Sequence, residues 1–232
     1  MKQNIKAAIQ EAEMILVGIG QEFVPLIPEY DGEAELAPYA KSKFLRELPA
    51  DHEIIRAYDQ LRELIGAKPY FVVTLNTDDL IYRSALEKDL IVAPCGSMSK
   101  LQCSEHITDA AEICDRVLKE GDTALACCPE CGAPLHFHTV QEEGYLESGY
   151  LDQWEKYTKW LSCTLNRKLL LLELGTGFQY PQVIRWAFEK TAFYNMKSTL
   201  VRISSKFPQL PAELSERGIS MAENPVEFLL NI

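Results

Sequence analysis

The 232-residue sequence predicts an α/β fold: a parallel sheet covered by helices on both faces, interrupted by a small module of different composition. Three observations carry this. Runs such as Leu169 to Leu174 are nearly continuously apolar rather than alternating with polar residues, the pattern of strands buried on both sides. These runs alternate with amphipathic helical stretches. From Cys95 to Gly149 the alternation stops, and most of the seven cysteines and three of the four histidines are gathered there.

In chain order, Ile5, Ala8, Ile9 and Ala12 recur at helical spacing. Met14 to Val17 then run apolar into Gly18-Ile19-Gly20, which reads as helix, buried strand and glycine turn. Pro25, Pro28 and Pro38 lie in an acidic stretch and are read as barring a continuous helix there. From Asp51 to Gly66, residues Ile54, Ile55, Tyr58, Leu61, Leu64 and Ile65 form one apolar helical face, with Asp51 placed to cap it and Gly66 to end it. Tyr70 to Leu75 and the shorter Leu90 to Ala93 read as buried parallel strands. A helix is expected over Asp109 to Lys119 and another from Leu151 to Thr164. The strand Leu169 to Leu174 follows, then a helix opened by Pro181 and running to Tyr194. A strand from Thr199 to Ser204 and a short helix from Pro225 complete the alternation.

Hydrophobic residues make up 47% of the chain and charged residues 25%, the balance of a globular protein rather than a disordered one. A net charge of -11 repels phosphate backbones, and no basic stripe reverses it locally, so no nucleic-acid partner is expected. The first residues are charged and followed by only a short apolar run, which reads as neither a signal peptide nor a membrane span. The expectation is a cytoplasmic protein. In a reducing compartment its cysteines are left for metal or catalysis rather than disulfides.

Four motifs carry chemistry. Gly18-Ile19-Gly20 after a strand lets the backbone approach a pyrophosphate, or makes a tight turn. Asn76 and Asp78 follow the strand Tyr70 to Leu75, where open α/β sheets place ligands; they bind a ribose or an amide, or cap the next helix. Gly175-Thr176-Gly177 after the third long strand receives an adenosine or phosphate, or simply turns the chain. Cys128-Pro129-Glu130-Cys131-Gly132 offers two thiolates to one tetrahedral ion, and Cys103-Ser104-Glu105-His106 offers a second pair at the same spacing. Zinc is therefore expected on Cys103, His106, Cys128 and Cys131, with Cys127 and Cys114 as competing ligands.

The order of these motifs resembles the sirtuin family of NAD-dependent protein deacylases over nearly the whole chain. Sirtuins carry Gly-Ala-Gly where Gly18-Ile19-Gly20 stands, Gln-Asn-Ile-Asp at Leu75-Asn76-Thr77-Asp78, and Gly-Thr-Ser at Gly175-Thr176-Gly177, and their zinc module has Cys-x-x-Cys twice. The resemblance implies a Rossmann-like NAD-binding domain from residues 1–94 and 150–232, a small zinc-binding module at 95–149, and a protein substrate, acylated or ADP-ribosylated, entering the cleft between them. It implies NAD or ADP-ribose contacts at Gly18, Ile19, Gly20, Gln21, Asn76, Asp78, Gly175, Thr176, Gly177 and Ser204. Asn76, Asp78 and Cys95 would stand at the catalytic positions.

The sequence also departs from the family pattern. Cys95 precedes Gly96 where sirtuins place the histidine that acts as base on the ribose, and a thiol titrating near ~8.5 is a poor substitute. Gln21-Glu22 replaces the serine after the first glycine motif, Ser204 replaces an asparagine, and no Asp-Phe-Arg stands between Val24 and Gly32. Leu135-His136-Phe137-His138 fills a peptide-binding stretch, with His136 and His138 as alternative bases. Breaking the nicotinamide-ribose bond needs chiefly positioning, whereas deacylation needs a base. The sequence thus points to an NAD-dependent protein-modifying transferase that cleaves NAD with ADP-ribosyl transfer or weak deacylation. The alternative is an inactive NAD/ADP-ribose-binding sensor or interaction module.

Overall fold

The computed structural model describes residues 1–232. The chain runs through α1 (Lys2–Glu11), β1 (Met14–Ile19), α2 (Ala37–Glu47), α3 (Glu53–Ile65), β2 (Tyr70–Thr74) and β3 (Ile91–Val92). It continues with β4 (Gly96–Gln102), β5 (Ile107–Asp109), α4 (Ala111–Glu120), β6 (His136–Thr139) and α5 (Leu151–Ser162). It ends with β7 (Leu169–Leu174), α6 (Arg185–Tyr194), β8 (Thr199–Ile203), β9 (Gly218–Met221) and α7 (Pro225–Leu230).

Alternate side chains along each strand decide which helices cover which face. Ile15, Val17, Val72, Leu170, Leu172 and Val201 pack with Ile5 of α1, Ile54 and Leu61 of α3 and Phe228 of α7. Leu16, Phe71, Val73, Leu169, Leu171 and Leu200 face the other way, onto Tyr157 of α5 and Phe188 of α6. Burying each such side chain contributes on the order of 1.5–3 kcal/mol, and these strands are apolar at nearly every step because neither face meets water.

The strands form one parallel sheet in the order β3-β2-β1-β7-β8-β9. Succession runs outward from β1 to β3 on one side and from β7 to β9 on the other. The order therefore reverses between β1 and β7, and a crevice outside the carboxyl ends of strands at such a point is where open α/β sheets bind ligands. Met14 pairs with Leu169 and Ile19 with Leu174, which brings the Gly18-Ile19-Gly20 turn level with Gly175-Thr176-Gly177.

One charged cluster interrupts the apolar face toward α6. Glu173 and Arg202 are fully buried and register-paired. Arg202 Nε donates to Glu173 Oε2 at 2.7 Å and Nη2 to Oε1 at 3.0 Å, while Nη2 also reaches Glu189 Oε1 at 2.8 Å. Arg202 Nη1 donates to the Gln209 carbonyl, and Thr176 Oγ1 donates to Glu173 Oε2 at 2.7 Å.

A second, antiparallel sheet, β5-β4-β6, holds the cysteine-rich segment. It packs with α2 and α4, and Ser42 Oγ of α2 donates to the Met98 carbonyl of β4 at 2.7 Å. Leu101 of β4 and Phe137 of β6, with Ile113 and Val117 of α4, are continuous with the core under the large sheet.

Several local expectations give way. The proline-rich stretch does contain a helix, α2, because Pro38 falls in its first turn, where no N–H is needed. His52 rather than Asp51 caps α3, with Nδ1 accepting from the Ile54 N–H. Pro181 does not open α6, which starts at Arg185 after a turn in which the Trp186 N–H reaches the Pro181 carbonyl. Leu90 ends a short 3-10 turn, leaving only Ile91–Val92 as strand.

Replacing Arg202 alone by Met should cost about 3–5 kcal/mol, because Glu173 would be left charged and unpaired in the core. Replacing both, with Arg202→Met and Glu173→Leu, should recover part of that loss, as read from urea denaturation midpoints.

Candidate functional site

The turns at the strand switch are set by steric exclusion. A Cβ on Gly20 would overlap the Gly175 carbonyl oxygen and Thr176 Cα, so only glycine lets the two turns cross at this separation. The Gly20 N–H donates to the Leu174 carbonyl at 2.9 Å and the Glu22 N–H to the Gly175 carbonyl at 3.2 Å. A Cβ on Gly18 would run into Ile184 and Phe188, and the Ile19 side chain lies in the core, so both serve packing. Gln21 bridges the turns: its Oε1 accepts from the Gly177 N–H, and its Nε2 donates to Gln179 Oε1 at 3.1 Å. Ser204 is buried at the end of β8, bonded to Glu22.

At the end of β2, Asn76 is buried and its Nδ2 donates to the Phe23 carbonyl at 2.7 Å. Asp78 Oδ1 accepts from the Leu80 N–H at 3.0 Å, a local turn leading into the 3-10 turn Leu80–Arg83, whose N-cap position is held by Asp79 rather than Asp78. Its second oxygen, Oδ2, is buried with no hydrogen-bond partner, and so is the Tyr58 hydroxyl of α3. Burial pushes the Asp78 carboxyl up to about 7. Burial also raises Tyr58, and the neighbouring Asp78 charge raises it further. The sequence showed Tyr58 only as part of an apolar helical face; nothing in its spacing marked it as polar in use.

Asn76, Gln21, Cys95, Phe137, Thr139 and Tyr180 line a cleft of about 540 Å³ between the two sheets. Asp78 instead lines a separate cavity of about 730 Å³ with Asp79, Ser97 and His138, so the segment 76–79 forms a wall between the two.

Cys95 is 4% exposed, packed among the apolar side chains that include Leu75 and Tyr157. Burial pushes its thiol up to about 11, so at neutral pH it carries its proton and cannot take another. The catalytic role expected of Cys95 as a base therefore does not fit its surroundings. The histidines do not replace it. His138 Nε2 meets the Leu146 carbonyl at 2.9 Å, and burial depresses its protonation; His136 Nε2 lies 3.0 Å from Gln102 Nε2.

In the cysteine-rich segment, Cys103 Sγ, His106 Nδ1, Cys128 Sγ and Cys131 Sγ converge. Cys103 Sγ lies 3.6 Å from His106 Nδ1 and 3.7 Å from Cys131 Sγ, and Cys128 Sγ lies 3.8 Å from His106 Nδ1. Zinc bonds of about 2.3 Å to sulfur and about 2.0 Å to nitrogen at tetrahedral angles put ligand atoms roughly 3.5–3.8 Å apart, so the quartet has the spacing of a closed site. The backbone N–H groups of Glu105 and then His106 hold the Cys103 thiol below its ordinary range, favouring the thiolate. Glu130 Oε2, 3.3 Å from His106 Nε2, fixes the ring from outside. The competing cysteines are elsewhere: Cys114 is fully buried in α4, and Cys127 is exposed and donates to the Ala124 carbonyl.

No protein-family model matches the chain. Among curated proteins, it is 23% identical over 261 residues to a protein ADP-ribosyltransferase of Staphylococcus aureus (strain Mu50 / ATCC 700699), covering 95% of this chain and 83% of that one. Among solved structures, a Sir2 complex with a p53 peptide and NAD+ superposes with a TM-score of 0.64 at 15% identity, covering 100% of this chain and 96% of that one. Sir2Tm bound to a propionylated peptide gives 0.65 at 15% identity, covering 99% and 95%. The chain has the sirtuin fold. That fold spans the whole of it, cysteine-rich segment included. No helix is long and apolar enough to cross a membrane.

Two outcomes follow from this geometry. A strong chelator should unfold the segment around β4, β5 and β6 before the large sheet, and Cys128→Ser or Cys131→Ser should do the same without chelator; hydrogen exchange and metal analysis read both. Asp78 has a folded value of about 7 against 3.8 for the free side chain. Between those values the folded state holds a proton that the unfolded chain has lost, so stability falls as pH rises through this window and levels off above it. Asp78→Asn should remove that slope, gaining roughly 1–4 kcal/mol relative to the native chain at pH 8 and little near pH 4.

Proposed function

We propose that this chain is an NAD-dependent protein-modifying transferase of the sirtuin type, and that its reaction is ADP-ribosyl transfer rather than deacylation. The observation that carries the reading is the orphaned Asp78 oxygen at the end of β2, beside Asn76 and one strand from the switch. A buried acceptor without a bonded donor, although the equally unpartnered Tyr58 hydroxyl is near it, is a group that a ligand N–H can satisfy. The carboxamide N–H of NAD is such a donor, so the residues present fit the cofactor.

NAD supplies, when bound, an ADP-ribosyl group attached to a nicotinamide leaving group. The chain's own residues hold and orient it. Asn76, fixed by the Phe23 carbonyl, presents its amide oxygen to the cleft. Asp78, whose carboxyl burial raises to about 7, lies behind Asn76 on the other side of the 76–79 wall and would meet the amide end only across it. The paired glycine turns admit the phosphates at the strand ends. Leu75, buried and lining the cleft, would keep water from the reacting carbon.

What the cleft lacks decides the reaction class. The proton on Cys95 stays put, and His136 and His138 are engaged in other contacts, so no side chain is set to deprotonate a ribose hydroxyl. An acceptor that arrives already deprotonated, such as a carboxylate or a thiolate, bonds to the ribose carbon as nicotinamide leaves and has no proton to give up, so it needs no such base. The named activity of the Staphylococcus relative supports the same choice. Zinc at Cys103, His106, Cys128 and Cys131 is structural in this reading, since all positions of the tetrahedron are filled by protein.

Purified protein given labelled NAD should release nicotinamide and pass label to protein, while an acetyl-lysine peptide stays acylated. Asn76→Ala should lower nicotinamide release about 10²–10³-fold, the loss typical of one positioned polar group at a reacting centre. Robust peptide deacylation without labelling would sink the proposal. Tight binding of NAD with no release would favour the sensor.

A further inference from the structure

Beside the glycine turns, at the carboxyl ends of β1, β7 and β8, the consecutive backbone N–H groups of Ser205 and Lys206 aim at one carboxylate, and the Gly177 N–H aims at the side chain before it. Strand ends at a switch in chain order are where an anionic ligand is received, and successive N–H groups aimed at one point form an anion nest. In this chain two consecutive side chains already sit on those donors. Gln21 Oε1 accepts from the Gly177 N–H at 3.2 Å. Glu22 Oε2 accepts from the Ser205 N–H at 2.7 Å and from Ser205 Oγ at 2.9 Å. Glu22 Oε1 accepts from Ser204 Oγ at 2.6 Å and from the Lys206 N–H at 3.1 Å. Partial burial works against the Glu22 charge, but the hydrogen bonds from Ser204, Ser205 and Lys206 outweigh it and keep the carboxyl ionised.

We infer that Glu22, steadied by Gln21, is an internal anion that plugs the phosphate seat of the cleft, and that a phosphate-bearing ligand binds only by displacing its carboxylate. The inference rests on the NAD reading above for the identity of the ligand, but not for the existence of the seat. Displacement needs no rearrangement of the sheet. Phe23, the next residue, is fully buried against Tyr58 with ring centroids 4.5 Å apart, so the backbone stays anchored while the Glu22 side chain rotates out. A Cβ on Gly175 would come within 2.6 Å of Glu22 Cβ, so the close approach of this side chain to the turn is built into the glycine motif itself. The bound and plugged states then compete for one set of donors, and the apparent affinity of the ligand is its intrinsic affinity reduced by the fraction of time the seat is open. Such a device sets a threshold: the cleft fills only when the ligand is abundant enough to outcompete a carboxylate tethered beside it.

A loop cap with no bearing on ligands would leave the same hydrogen bonds, and binding measurements separate the two. Native protein, Glu22→Ala and Glu22→Gln are titrated calorimetrically with ADP-ribose, with inorganic pyrophosphate and with adenosine. Glu22→Gln keeps the size of the side chain in case the alanine variant loosens the loop. Both variants should bind ADP-ribose at least about tenfold more tightly than native protein, with adenosine unchanged. If native protein binds ADP-ribose and neither variant binds it more tightly, the plug is refuted while the NAD reading stands. If none binds ADP-ribose but the variants take up pyrophosphate and the native chain does not, the NAD reading falls and the plug survives. Absence of binding of either phosphate ligand by any of the three overturns both.

Discussion

Where β1 leaves the sheet, Gly20 passes so close under Gly175 and Thr176 that no side chain fits between them. This contact joins the two halves of the sheet at the point where strand order reverses, and the rest of the cleft is referenced to it. From Thr176 the constraint passes through its hydroxyl to Glu173, from Glu173 to Arg202 on the next strand, and from Arg202 to the Gln209 carbonyl beyond β8. Arg185 of α6 closes the circuit on the Phe207 and Gln209 carbonyls. The turns are thus held from below by a charged network that is nearly all buried, and from above by one backbone crossing.

The parts of this fold that were legible in the sequence are those whose environment is uniform along the chain. β1, β2 and β7 are apolar at nearly every residue because both faces are covered, and the Cys/His quartet showed because its two pairs share one spacing. The parts that were not legible depend on distant partners. β4 reads Gly-Ser-Met-Ser-Lys-Leu-Gln, polar at several steps because its sheet is small and open on one side, so no apolar run announces it. Pro38 looked like a breaker because nothing local says that it begins a helix. The environment of Cys95 comes from Leu75 and Tyr157, and the partners of Glu22 lie at Ser204 to Lys206, near the other end of the chain.

Taken together, the cleft is rich in groups that hold and poor in groups that move protons. The Asp78 carboxyl behind its wall is poised near neutrality by burial, while the Cys95 thiol is held protonated by packing and burial works against the charged form of His138. A site built this way relies on placement, in which small shifts of the supporting turns matter more than the basicity of any one side chain.

The position of β1 has a consequence for how the chain reaches this state. β1 lies between β2 and β7, yet Met14 pairs with Leu169, so the centre of the sheet cannot close until most of the chain, including the whole cysteine-rich segment, is available. Parallel pairing across so long a separation must first overcome the entropy of closing a large loop, which makes such sheets slow to form. Until then one edge of β1, apolar throughout, stands open to any passing strand. A metal held by Cys103, His106, Cys128 and Cys131 would organise the intervening segment, shorten the effective loop between these two strands and hasten the step on which the formation of the cleft waits.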